Sequence, residues 1–343
     1  MKNLEMGFTV EKQKLFIIVG IIFFFLLFFL SVFLGTKALS FSDGVAAFVK
    51  LLKGNLDSAE SSGVILIKFR LPRAVAAVLC GTALSVSGLL LQSALNNKLA
   101  SPGIIGVNSG AGLFVLIFSL LFPFSFWGRS LGAMGGALLA VFFVYIISIK
   151  TGVSKTTLVL AGVAVSSLMT AGINIVITLR PEIVTDKVAF NLGGFGNMNL
   201  QSVRLSLPVI ILEISVAFAL SSGIDLFALG DEAAFGLGLN VKAYRLGIII
   251  VSGLLAGAAV SVCGILGFVG LIVPNIIRLA GNNKTKTNIV LCIIFGSDFL
   301  LLCDLLARVM FFPYELPVGL FMSILGAPFF IWMLIKKRKK LCV

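Results

Sequence analysis

The sequence predicts an all-α, polytopic membrane protein with about ten transmembrane helices. Three observations carry that prediction. Of 343 residues, 59% are hydrophobic and 12% charged, whereas soluble domains carry about 45–50% apolar and roughly 25% charged residues. The apolar residues gather in runs of span length, and their total would fill about ten helices of about 20 residues each. The 36 glycines suit helices that approach closely in lipid, where small residues let backbones meet.

The first apolar run, Leu15 to Leu34, follows Lys12 and Lys14. It exceeds the 7–15 residues of a signal-peptide core and reads as an uncleaved anchor, although Ala38-Leu39-Ser40 weakly resembles a cleavage site. Gly35 to Lys68 is polar and mixed, with an amphipathic part around Phe48 to Leu52, and is expected as an extracytoplasmic loop. Further spans are expected at Arg70–Leu95, Gly103–Leu121, Leu131–Ile149, Thr157–Leu179, Leu205–Ser222, Thr287–Leu306 and Pro317–Ile335. The apolar stretch Leu246–Leu279 is too long for one upright span at 1.5 Å per residue. It is either one tilted helix or two short ones turning near Ser261-Val262-Cys263-Gly264.

Charge decides between them. Two short helices give an even count and place both termini on the cytoplasmic side of the cell membrane, with Lys2, Lys12, Lys14 and the tail Lys336-Lys337-Arg338-Lys339-Lys340 inside, as basic residues prefer. One long helix would turn that tail outward. The net charge of +13 is therefore read as topology rather than as a nucleic-acid footprint. No repeat or linker divides the chain, so residues 1–343 form one transmembrane domain.

The sequence offers little chemistry of its own. Histidine is absent, which removes the usual general base and the commonest metal ligand. Cys80, Cys263, Cys292, Cys303 and Cys342 form no CxxC pair and read as small apolar filler, so no metal or cofactor is expected. No Gly-Lys dipeptide occurs, hence no phosphate-binding loop; Gly152 to Thr156 has its flavour only and reads as a cytoplasmic turn. Without a nucleophile constellation the chain is not expected to be an enzyme. Glu213, Asp298 and Asp304 fall inside spans, where a charge costs about 2.5–3.5 kcal/mol. Asp304 has Arg308 one turn later, the spacing of an ion pair. A proton-coupled carrier is the functional alternative, although three scattered carboxylates without histidine make a poor relay.

Two segments stand apart. Gly230 to Arg245 has an acidic start, Asp231-Glu232, and a basic end, so a short amphipathic helix interrupted by glycines is expected within a cytoplasmic segment 223–245. It would either lie on the membrane surface or dock a cytoplasmic partner. Arg70, Arg73 and Arg308 sit at span ends on the outer face, where the topology rule disfavours them. Each fork would hold an acidic group of a partner or anchor to lipid headgroups.

Several blocks, taken in order, resemble the permease subunits of ABC importers for iron-siderophores, haem and cobalamin. They are Arg70-Leu71-Pro72-Arg73, Asn97-Lys98-Leu99-Ala100-Ser101-Pro102-Gly103, Leu160-Ala161-Gly162-Val163-Ala164, Gly193-Gly194-Phe195-Gly196, Ala228-Leu229-Gly230-Asp231-Glu232-Ala233-Ala234, Gly267-Phe268-Val269-Gly270-Leu271-Ile272-Val273-Pro274, Asp304-Leu305-Leu306-Ala307-Arg308, Glu315-Leu316-Pro317-Val318-Gly319 and Gly326-Ala327-Pro328-Phe329-Phe330. The resemblance implies ten helices, a second permease subunit, identical or not, two ATP-binding subunits inside, and a substrate-binding protein outside. It implies that Arg70, Arg73 and Arg308 receive acidic residues of the binding protein's two lobes. It likewise makes Gly230, Asp231, Glu232, Ala233, Ala234, Gly236 and Gly238 the segment that docks on the ATPase, and Thr156 and Thr157 part of a cytoplasmic gate. The family's usual Pro-His is here Pro274-Asn275, and Ser297-Asp298 adds a buried acid. The expected cargo is a ferric chelate, an iron-siderophore, with haem or cobalamin as the alternative.

Overall fold

The computed structural model describes residues 10–34, 66–122, 125–151, 154–196, 198, 200–227, 229–279, 284–311 and 314–341. Among these the chain forms twelve α-helices and no strand. They are α1 (Val10–Phe33), α2 (Leu71–Ala94), α3 (Val107–Leu121), α4 (Phe126–Thr151), α5 (Lys155–Leu179), α6 (Val184–Leu192), α7 (Leu200–Phe227), α8 (Asp231–Gly236), α9 (Val241–Cys263), α10 (Val269–Leu279), α11 (Thr285–Val309) and α12 (Val318–Leu341). Seven are long and apolar enough to cross a membrane, and three apolar helices are shorter, Val107–Leu121, Val269–Arg278 and Val318–Met333. Together they make the ten that hydropathy predicts. The expected loop around Phe48–Leu52, and Lys2, lie outside the described residues.

Helix α2 runs through the middle of the bundle, with 83% of its apolar window buried, packed by α11, α9, α10 and α7. Its sequence explains the position. A Cβ on Gly81 would overlap the carbonyl of Gly296 in α11, and one on Gly88 the carbonyl of Gly270 in α10. Only glycine permits such backbone approach. Hydroxyls supply the cross-links: Thr82 Oγ1 lies 2.9 Å from Ser297 Oγ, Ser85 Oγ donates to the Cys292 carbonyl at 2.7 Å, and Ser87 Oγ lies 2.8 Å from Ser252 Oγ. Such bonds contribute about 0.6 kcal/mol each in membrane proteins. Helix α5 is the opposite case, only 28% buried over its window, with Leu160, Val163, Leu168 and Ile175 exposed along it.

Leu246–Leu279 holds two helices, as the charge parity requires. Helix α9 stops at Cys263, where Gly264 takes φ +69 in the left-handed region, and α10 begins at Val269. A side chain at Gly264 would be strained there. With 11 residues, α10 is about 17 Å long, roughly half the hydrocarbon thickness. Elsewhere the boundaries move. Helix α7 extends five residues beyond each end of the expected Leu205–Ser222 span, and the expected Gly103–Leu121 span divides at Gly106, φ +82, into a 3-10 turn, Pro102–Ile105, and α3. Helix α6 was not expected; it joins α5 and α7, lying after a second 3-10 turn, Pro181–Ile183.

The two ends of the bundle are fixed by contacts. The last turn of α1, the first of α2 and the last of α11 meet around Arg70 and Arg308, and Leu316, just before α12, donates to the Ala307 carbonyl there. At the other end, α8 meets α9, and the Thr285 amide donates to Asp225 of α7 at 2.9 Å. Helix α1 therefore begins, and α12 finishes, at the α8 end.

Candidate functional site

At the arginine end, all three predicted arginines come together, and all three are buried, at 6%, 9% and 3% exposure for Arg70, Arg73 and Arg308. Arg70 Nη1 donates to the Phe33 carbonyl at 2.6 Å, and Arg308 Nη1 to those of Ser31 and Leu34 at 3.1 and 3.2 Å. Arg308 Nη2 also reaches Ser31 Oγ at 2.8 Å. Two cations thus sit on the carbonyl end of α1, the negative pole of a helix. Arg73 is held by acids instead, its Nε 2.9 Å from Asp304 Oδ1 and its Nη1 2.7 Å from Glu315 Oε2. Asp304 Oδ2 lies 3.1 Å from Arg308 Nη2, the predicted one-turn ion pair, though without hydrogen-bond alignment.

Both sequence-based readings of these arginines, a protein clamp and headgroup anchoring, assume side chains pointing outward. The structure turns them inward, because Asp304 is fully buried and needs their charge. Glu315 is the half-exposed member of the cluster, and Phe69, Met310, Phe311 and Tyr314, neighbours of the cluster in sequence, are exposed. Next to this cluster opens a cavity of about 910 Å³. Arg73, Arg129, Asp186, Phe190, Gly264 and Glu315 are among its lining residues.

At the opposite end, the segment 223–245 comprises the end of α7, the six-residue α8 and the start of α9. Gly230 and Gly238 flank α8 with φ +99 and +88, conformations that a side chain would strain. Asp231 opens α8 and accepts from Arg245 Nη2 at 2.7 Å, with Lys155 Nζ at 3.9 Å. The hydrogen-bonded Arg245 guanidinium holds the Asp231 carboxyl below the usual carboxylate range. Arg245 is itself buried; its Nε donates to the Ala94 carbonyl at 3.0 Å and its guanidinium carbon lies 5.4 Å from the Phe227 ring centre. Ala234 is fully buried, so it packs within the chain, whereas Leu229, Phe235 and Leu237 are exposed. Residue types alone did not separate these two faces. A groove of about 490 Å³ lies beside them, lined by Asp231, Glu232, Phe235, Asn240 and Lys242 among others.

Thr156 and Thr157 lie in the first turn of α5; Ser154 caps that helix, its Oγ accepting from the Thr157 amide at 3.0 Å. Lys155 carries the contact from this turn to Asp231. Asn275 uses its amide nitrogen twice, toward the Lys98 carbonyl at 2.9 Å and the Leu271 carbonyl at 2.7 Å. Asp298 is buried at 3% exposure, one turn beyond Ile294 and Phe295 on the α1 side, and neither oxygen has a hydrogen-bond partner among the described residues. Cys80, Cys263, Cys292 and Cys303 are free and buried.

Residues 22–336 match the FecCD transport family. The chain is 35% identical over 328 residues to the Fe(3+)-citrate import system permease protein YfmD of Bacillus subtilis (strain 168), covering 96% of each chain. It is 31% identical over 292 residues to the hemin transport system permease protein HmuU of Yersinia pestis, covering 83% of this chain and 87% of the other. Among solved structures, an inward-facing metal-chelate type ABC transporter superposes with a TM-score of 0.81 at 25% identity, covering 94% of this chain and 99% of that one.

Proposed function

This chain belongs to the FecCD transport family, the permease subunits of ABC importers, and on that premise we propose that it carries a ferric chelate, an iron-siderophore, across the cell membrane. The observation that supports a pumped rather than a self-powered path is α8. It is a glycine-flanked turn clasped to the bundle by Asp231 and Arg245, with Phe235 and Leu237 standing in solvent beside a groove. Exposed large apolar residues around a charged clasp suit a protein partner. Here the partners are two ATP-binding subunits, which supply the energy; the permease hydrolyses nothing. Movement of α8 reaches the gate turn at Thr156 and Thr157 through Lys155.

The arginine end faces outward and receives the substrate-binding protein. Arg70, Arg73 and Arg308 bring three positive charges and Asp304 and Glu315 two negative ones, so the cluster keeps a positive excess. An incoming carboxylate would exchange with Glu315. The large apolar exposure of α5 suits a second permease subunit, identical or paired, and the remaining apolar surface is for lipid.

The ferric reading rests on the likeness to a ferric-citrate permease over nearly the full chain. Uptake by a strain lacking this gene, offered ferric citrate, a ferric hydroxamate, haem and cobalamin in turn, tests it. Loss of haem or cobalamin uptake alone would replace the iron-siderophore cargo. A transport that fails on ATP depletion but survives an uncoupler excludes the proton-coupled carrier. Sidedness is tested by membrane-impermeant labelling of single cysteines, expected from outside at Ser261 and from inside at Lys284; outside labelling at Lys284 would invert the assignment.

A further inference from the structure

The half-helix α10 is the element joining the two sites just described. Its leading loop lies at the outer cavity: Cys263 and Gly264 line the wall, the Gly194 amide donates to the Cys263 carbonyl at 2.8 Å, and the Ile265 amide to the Phe190 carbonyl at 2.9 Å. Its far end, at Arg278, is bonded to the end of α2 that also accepts from the α8 clasp. Between them, one buried side chain on α2 holds both ends of α10. Gln92, 1% exposed, donates through Nε2 to the Gly270 carbonyl at 3.0 Å and accepts at Oε1 from Arg278 Nη1 at 2.6 Å.

The same stretch of α2 is gripped from the other direction. Ala94, its last residue, accepts from Arg245, which carries Asp231 of α8. Ser93 accepts from Arg278 Nη2 at 3.4 Å, and Lys98, just beyond, accepts from Asn275 of α10. Gly88 and Gly270 are in backbone contact, so no side chain cushions relative motion of α2 and α10. The polar bonds run without a gap from Asp231 through Arg245 and the end of α2 to Arg278 and Gln92.

We propose that Gln92 is a positioning residue that makes α10 move as one body with α2, so that displacement of α8 reaches the floor of the outer cavity through the Asp231, Arg245 and Gln92 bonds. The inference rests on the import cycle proposed above. Gln92 touches no cargo. An apolar core without these bonds would let a half-span helix slide, because its backbone contacts alone set no register; the Gln92 amide fixes one end of α10 and its carbonyl the other.

The test uses the whole complex, purified through a tag on this chain and reconstituted in vesicles. Gln92→Glu keeps an acceptor for Arg278 and loses the donor to Gly270; Gln92→Met loses both. ATP hydrolysis is expected to stay within about twofold of wild type, while ferric citrate moved per ATP falls about tenfold or more. Arg245→Lys keeps a charge for Asp231 and loses the Nε contact to Ala94. Combined with Gln92→Glu, it is expected to lower the ratio no further than the worse single change, because the two bonds act in series. An unchanged ratio in Gln92→Glu, or a double variant that multiplies the single effects, overturns the proposal.

A second measurement needs no change at Gln92. Spin labels at Asn97, three residues beyond the end of α2, and at Ile276, both exposed, report the end of α2 against α10, and a label at Leu160 reports α5. Between the nucleotide-free and ATP-bound complex the Asn97 to Ile276 distance should hold within about 1 Å while the distance to Leu160 changes by more; a shift of about 3 Å or more between α2 and α10 overturns the proposal whatever the variants do. The two readings fail separately. A wild-type complex that hydrolyses ATP and moves none of the four chelates counts against the cargo and import reading, and the distances still decide this one.

Discussion

At the arginine end, Arg73 and Arg308 share Asp304 and leave little guanidinium surface, while at the α8 end Arg245 is just as buried yet the residues following its partner, Phe235 and Leu237, stand in solvent. The chemistry is the same in both places, an arginine fork closing on a carboxylate and on helix-end carbonyls. The surroundings differ. The arginine cluster joins α1, α2, α11 and the turn before α12, so its first consequence is stability; the clasp at the α8 end tethers a six-residue turn that presents apolar side chains. A buried charge pair is weak evidence of recognition, and an exposed apolar side chain next to one is better evidence.

The largest effect should come from breaking the arginine cluster. Arg73→Ala leaves Asp304 and Glu315 with less positive charge in a buried site, and losing one partner of a buried pair costs about 3–5 kcal/mol. Thermal unfolding in detergent should show it as a sharply lowered midpoint, with reduced yield. Arg73→Glu should be worse, so reversal of these arginines reports on folding before it reports on docking; a soluble, stable Arg73→Glu protein would show that the cluster is not structural. Next comes the α8 end. Phe235→Asp or Leu237→Asp should weaken retention of the ATPase by about 30-fold, the effect of roughly 2 kcal/mol at an interface hot spot, and leave unfolding unchanged. Full retention in a pull-down would make α8 a membrane-surface turn.

Smaller again is Asp298→Leu. Removing a buried carboxyl that no described residue satisfies should raise stability by about 1 kcal/mol or more, with uptake intact. A stabler protein that no longer transports would instead assign Asp298 a place in the cargo or proton path. The smallest effect concerns pH. Asp231 is held below its ordinary pKa by Arg245; the stability it contributes is present above about 3.9 and is lost as pH falls through its folded value. ATPase retention should therefore be flat from about pH 5 to 8 as far as Asp231 is concerned; a step in that window removed by Asp231→Asn would contradict the clasp.

Much of the fold was legible because the signals are local. Run length gave the spans, and charge parity required the break that Gly264 makes. The helix α6 was not, since nine residues of mixed polarity carry no span signal. In the sites, i,i+4 spacing pointed to Asp304 and Arg308, but the partner of Arg73 lies 231 residues away, and nothing in one sequence ties such positions together. The Gly230 to Gly238 segment was legible as a unit while its faces were not, because burial of Ala234 and exposure of Phe235 depend on where α8 docks. Arg245, read as the basic end of an amphipathic helix, is a buried node; its signal was absent because Ala94 contributes only a backbone carbonyl.

The grip of Arg70 and Arg308 on the last turn of α1 also sets an order of assembly during synthesis. Helix α1 precedes the other described helices along the chain, and Arg308 is made 277 residues after Ser31, its partner. At about 5–20 residues per second the ribosome needs roughly 14–55 s to reach it. Until then, among the described residues, Arg70 bonds that turn through the Val32 and Phe33 carbonyls. Helix α1 is thus made early and locked late, and a nascent chain released before residue 308 should leave α1 open to membrane proteases.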